Sequence, residues 1–183
     1  KNNKQQIKKT NLDNLNIYYK AVKKNKNWPD IYDNFKNLKT INKILIPKIL
    51  TYSKKILKKK NVKVITKGLR IIEKSSSRSY PIHQEYPGIK FKTFLVFWIA
   101  LHKIKKLQGG LLIAKKVINK PLPHKFGKRK YCILKNQKTW KKKVYEKTFS
   151  SGEAITLGKY VQHGTAPKKI GSPRWACIVR VGI

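Results

Sequence analysis

The stretch Arg174-Trp175-Ala176-Cys177-Ile178-Val179-Arg180-Val181 decides the fold class. Cys177, Val179 and Val181 alternate with Ala176, Ile178 and Arg180, the period-two pattern of a β-strand. Working back along the chain, Ile155 and Leu157 alternate, and Tyr160-Val161 leads into a turn at Gly164. Tyr131-Cys132-Ile133-Leu134 is β-prone in composition. Short strands joined by short turns predict a small antiparallel barrel or sandwich over residues 131–183.

Upstream the period changes, and residues 1–130 read as a basic, mainly helical or irregular extension. Leu12, Leu15, Tyr19 and Val22 fall at helical spacing behind Asn11, a capping residue type. Trp28-Pro29-Asp30 opens a second helix, carried by Ile31, Phe35, Leu38, Ile41 and Leu45 until Pro47 interrupts it. Ile49, Tyr52, Ile56 and Leu57 mark a third, closed by Lys58-Lys59-Lys60 at the negative end of its dipole. Ser75 to Pro87 is a polar loop. The apolar segment Ile89 to Gln108 lies between Pro87-Gly88 and Gly109-Gly110, which predicts a buried helix with a glycine stop. Leu111 to Ile118 reads as a strand and Asn119 to Lys130 as a basic linker. The expected class is α+β, a small C-terminal antiparallel β-barrel behind a helical, lysine-rich extension.

The charge is extreme. Forty-five lysines and arginines face seven acidic residues, a formal net charge of +38 on a chain that is 40% hydrophobic. Such a domain repels itself unless a polyanion supplies the counter-charge, and nucleic acid is the usual one. The apolar fraction, with four Trp, nine Tyr and six Phe, excludes a disordered polycation. The apolar run from Phe94 to Leu101 falls well short of the ~20 residues of a membrane span. Cys132 and Cys177 are too few for a disulfide scaffold and suggest a reducing compartment.

Catalytic patterns are sparse. Asp30 and Asp33 share a helix face and read as an acidic first turn. His83-Gln84-Glu85 lacks the second histidine of a zinc-peptidase helix and sits in a loop. His83, His102, His124 and His163 are dispersed, and the two cysteines form no C-x-x-C. The expectation is no catalytic residue, no metal and no cofactor. Basic clusters interleaved with aromatics are more informative, because cations can hold phosphates beside rings that stack on bases. Lys125, Lys128, Arg129 and Lys130 precede Tyr131. Lys138, Lys141, Lys142 and Lys143 surround Trp140. Lys168, Lys169 and Arg174 precede Trp175. These, with Trp140, are the expected RNA-binding residues.

Several motifs follow one another in the last third of the chain. They are Tyr131-Cys132-Ile133-Leu134-Lys135, Gln137-Lys138-Thr139-Trp140, Val144-Tyr145-Glu146-Lys147 and Gly152-Glu153-Ala154-Ile155-Thr156-Leu157. Lys159, Val161, Lys169-Ile170-Gly171-Ser172-Pro173 and then Ala176, Ile178 and Val181 complete the series. In order and turn residues this stretch resembles the bacterial-type large-subunit ribosomal protein twenty-one family, although Asn136-Gln137 stands where the family has a Gly-Gly turn. The resemblance implies a structural, non-enzymatic constituent of the large ribosomal subunit. Its partners would be large-subunit rRNA and neighbouring ribosomal proteins, with no small-molecule substrate. It further implies a mitochondrial ribosome, or alternatively a plastid one. The rival expectation is an architectural nucleic-acid-packaging protein of an organelle nucleoid.

Overall fold

A computed structural model describes residues 35–73, 80–89, 91–126 and 132–183. The expected helix at Leu12 to Val22, the Asp30/Asp33 pair, and Lys128, Arg129, Lys130 and Tyr131 lie outside the described residues.

A π-helical turn, Ile41–Leu45, runs into helix α1, Ile46–Leu57. Pro47 sits in the first turn of α1, directly after the π-helical turn, and the chain stays helical through it instead of breaking there. Lys58 ends α1 in the left-handed conformation at φ 52°. The strands follow: β1 Lys63–Ile72, β2 Phe94–Ala100, β3 Leu111–Ala114, β4 His124–Phe126 and β5 Cys132–Leu134. A short helix, α2 Gln137–Lys142, precedes β6 Val144–Lys147, β7 Ala154–Gly158, β8 His163–Thr165 and β9 Arg174–Gly182.

One antiparallel sheet has the order β1-β9-β2-β7 and a second has the order β6-β3-β8, with β4 and β5 forming a separate hairpin. β9, foretold by its alternation, is one of the two inner strands of the larger sheet. Its Trp175, Cys177, Val179 and Val181 pack with Ile49 of α1, while Ala176 and Ile178 pack with Leu111 and Ile113 of the second sheet. The molecule is thus layered as helix, sheet and sheet, with one apolar core at each junction. Both sheets keep free edges, so the described residues form no closed barrel; the expected small barrel is corrected to two stacked open sheets. The α+β class stands. The larger sheet also pairs β1 with β9 along its length, so it draws strands from both sides of residue 130.

The expected helix over Ile89 to Gln108 is wrong. That segment holds β2, buried at every residue. Leu95, Phe97 and Ile99 face α1, whereas Phe94, Val96, Trp98 and Ala100 face the second sheet. A strand covered on both faces has no polar alternation, and a short apolar run cannot be told from a buried helix by period alone. Among the described residues no helix is long and apolar enough to cross a membrane.

Candidate metal centre

Extended backbone puts residues i and i+2 on one face of the chain. His83 and Glu85 have that spacing. His83 lies directly opposite His163 at the start of β8, and the two residues exchange both backbone hydrogen bonds, at 2.8 and 3.0 Å. The pairing brings the two imidazoles together, with ring centroids 4.3 Å apart and the planes tilted by 48°. Glu85 completes the cluster: its Oε1 lies 3.6 Å from His163 Nε2 and 3.9 Å from His83 Nε2. One ligand atom from each of the three residues falls within 4.8 Å of the others.

The rings are held in a definite orientation. His83 Nδ1 donates to the Pro81 carbonyl at 2.9 Å and His163 Nδ1 donates to the Val161 carbonyl at 3.0 Å. A carbonyl can only accept, so each Nδ1 carries the proton and each Nε2 presents a lone pair toward Glu85. Metal-binding histidines are characteristically anchored in this way. Burial and the neighbouring His163 push the His83 pKa down, which keeps that ring neutral. Burial by itself would raise the Glu85 carboxyl. Its close contacts with His163 and His83 and the charge of Arg180 outweigh it, and hold the carboxyl well below the usual carboxylate range. A lowered His83 pKa and a lowered Glu85 pKa are the directions a cation requires of these two donors.

The surrounding loops are pinned by buried glutamines next to the three residues. Gln84 donates to the Lys120 and Tyr160 carbonyls and accepts from Leu122 N–H. Gln162 binds Ile118 through both its N–H and its carbonyl. Gly164 follows His163 where segment 80–83 comes closest: a Cβ there would stand 2.9 Å from the Tyr80 carbonyl oxygen and 3.1 Å from Ile82 Cδ1. Gly164→Ala should therefore push His83 away from His163. The expected result is a loss of about 1–3 kcal/mol in denaturant unfolding, together with weakened metal uptake.

A second buried polar group lies at the other end of the same interior face. Arg174, the first residue of β9, is only 2% exposed. Its Nε donates to the Gly109 carbonyl at 2.8 Å and its guanidinium lies over Trp98, 5.2 Å from the ring centroid. Nη1 has no hydrogen-bond partner among the described residues. Burial, with a contribution from Arg70, pushes the group down to about 9, so it remains a cation at neutral pH. An orphaned donor on a buried cation is costly unless an anion completes it.

The residues expected to bind RNA fall elsewhere. Lys125 is exposed on β4, Lys138, Lys141 and Lys142 are exposed on α2, and Lys143 and Lys169 are exposed in loops. Lys168 donates its ammonium to the Ile170 and Gly171 carbonyls. Trp140 is buried in a small core with Ile82 and Leu134, and Arg174 is interior, so neither is presented to solvent. His83, Glu85, His163 and Arg180 were missed as site residues. The signal available was His83-x-Glu85, which fails as a helical zinc motif but works on an extended chain.

No family model matches the sequence, and no curated protein matches it. Solved structures do match in fold. EvdO2 from Micromonospora carbonacea var. aurantiaca superposes with a TM-score of 0.68 at 13% identity, over 77% of this chain and 60% of its own. The same protein complexed with 2-oxoglutarate gives 0.63 at 15% identity, over 73% of this chain and 57% of its own. The epimerase SnoN, in complex with Fe3+, alpha ketoglutarate and nogalamycin RO, gives 0.63 at 13% identity, over 82% and 61%. This chain thus spans under two thirds of the length of these structures.

The fold is accordingly one shared with EvdO2 and with the epimerase SnoN, and within it lies a cluster of two histidines and one carboxylate. The resemblance to large-subunit ribosomal protein twenty-one is overturned. The strands that carried it are built into a different fold, and alternation with glycine turns is common to antiparallel sheets of many kinds. The other expectations are overturned as well, namely a ribosomal or nucleoid constituent, rRNA and ribosomal proteins as partners, no enzymatic activity and no small-molecule substrate, since the structures sharing this fold include an epimerase and a protein complexed with 2-oxoglutarate.

Proposed function

We propose that the chain is a metal-dependent enzyme that uses a non-heme iron(II) centre and a 2-oxo dicarboxylate, such as 2-oxoglutarate, to oxidise a small molecule. The observation that carries this reading is the convergence of His83, Glu85 and His163, with both imidazole lone pairs turned inward. Two histidines and a carboxylate, leaving the remaining coordination positions open, suit ferrous iron over a closed structural zinc. When bound, the iron would supply oxygen activation coupled to decarboxylation of the 2-oxo acid. The protein's part is to hold, orient and exclude water.

Arg174 fits the dicarboxylate's remote end. Its guanidinium rests on Gly109, four residues before Ile113, which pairs with His163. That is at most roughly 14 Å of chain, a span that a five-carbon dicarboxylate and the side chains at either end can fill. Ala100 and Ala176, paired in register beside Arg174, keep side-chain bulk low there. A carboxylate on Nη1 would satisfy the orphaned donor through a charge-assisted hydrogen bond.

The surface supports a negatively charged substrate. The acidic residues among the described ones are engaged within the chain: Glu85 by Arg180, Glu146 by Leu107 N–H, Glu153 by Lys147, and Glu73 by a contact of its own. The lysines therefore stay largely uncompensated and draw anions toward the site. The test is anaerobic reconstitution with Fe(II), followed by oxygen and 2-oxoglutarate. One metal per chain and metal-dependent formation of succinate are expected, and anionic compounds should stimulate turnover more than neutral ones at low salt. A chain that takes up no metal overturns the reading.

A further inference from the structure

Arg180 lies on the same face of β9 as Arg174, at the opposite end of the strand. Its guanidinium forks onto Glu85, with Nη2 donating to Oε1 at 3.0 Å and Nε donating to Oε2 at 3.1 Å. Nη1 reaches Thr66 Oγ1 on β1 at 3.4 Å. The two carboxylate oxygens are not equivalent. Oε1 is the one approached by both imidazoles, at 3.6 and 3.9 Å, whereas Oε2 is met by Arg180. Both side chains are largely shielded, with 20% and 11% exposure, so the pair is not dissolved by water.

We infer that Arg180 is a positioning residue that makes Glu85 a one-oxygen metal ligand, reserving the remaining open positions for an anionic chelating co-substrate. This rests on the metal-centre reading above. A cation seated among the two Nε2 atoms and Oε1 displaces only the Nη2 contact, because Nε and Thr66 keep the guanidinium on Oε2. Without that hold, Glu85 is free to give both oxygens and fill a position itself. The charge acts in the same direction. Arg180 cancels the negative charge of Glu85, so the cation's own charge is left to attract an incoming dianion. Arg180 therefore weakens metal binding slightly and strengthens chelator binding.

The test uses Co(II) as the metal and oxalate as the chelating anion, since oxalate has no remote carboxylate for Arg174. Arg180→Met should bind Co(II) as tightly as the unaltered chain or more tightly, while its Co(II) form loses tenfold or more in oxalate affinity. Its visible Co(II) absorption before oxalate should be weaker, as expected for a higher coordination number. Arg180→Lys keeps the charge without the fork and should also lose oxalate affinity, by a smaller factor; it serves if the methionine variant does not fold. Weakened Co(II) binding in either folded variant would overturn the proposal, since Arg180 would then only be building the site. Unchanged oxalate affinity would overturn it as well. Failure of the unaltered chain to bind Co(II) would instead remove the underlying metal-centre reading.

Discussion

Replacing His163 by alanine should cost about 100-fold or more in Mn(II) or Fe(II) affinity while leaving the chain folded. Removing residues that only support metal ligands costs about 10–100-fold, and a ligand must weigh at least as much. His163 is the cross-strand member of the cluster, and its backbone bonds to His83 do not involve the imidazole. The sheet should therefore survive, although the buried ring leaves a small void. Titration calorimetry with Mn(II), paired with thermal unfolding, separates the two effects. His83→Ala should behave alike, whereas His102→Ala should leave metal affinity unchanged, since His102 accepts from Trp175 N–H and donates to Lys103. Equal metal affinity in His163→Ala and the unaltered chain would show that the cluster is not a metal site.

The second large effect concerns Arg174, where binding and stability should move in opposite directions. Arg174→Met removes the cation proposed to receive the remote carboxylate of the co-substrate. Truncating one partner of a buried charged pair costs about 2–5 kcal/mol, which is about 30-fold to several thousand-fold in affinity. The same change removes an incompletely paired buried cation from an apolar interior. Replacing buried ionic groups by apolar ones of similar volume is often neutral or stabilising, by about 1–4 kcal/mol. The expected outcome is loss of 2-oxoglutarate binding with an unchanged or higher unfolding free energy. Oxalate, which needs no remote anchor, should still bind. If Arg174 were only a structural prop between Gly109 and Trp98, stability would fall and 2-oxoglutarate affinity would not.

Part of this was legible in the chain. The alternation from Trp175 to Val181 identified β9, because each of its faces meets a different layer: Trp175, Cys177, Val179 and Val181 toward α1, and Ala176 and Ile178 toward the second sheet. Helix α1 was readable from Ile49, Tyr52, Ile56 and Leu57, since one side of it rests on the sheet. β2 was not. Burial on both faces erased its pattern, and the run Phe94 to Ala100 took on the look of a core helix. His83-Gln84-Glu85 was visible as a triplet but was weighed against a helical motif, whose i, i+4 spacing it lacks. Arg174 was read as a surface cation because arginine usually is one.

The amino-acid sequence by itself determined the antiparallel character of the C-terminal strands, the α1 helix and the overwhelming positive charge, since these depend on local periodicity and on composition. Only the tertiary structure assembled the candidate site. A metal centre is a set of distances between side chains far apart in sequence, and those distances are set by strand pairing. The exchange of hydrogen bonds between His83 and His163 made a site of two dispersed histidines. The stacking of β9 against the second sheet turned Arg174 and Arg180 inward, away from the charged surface that first drew attention.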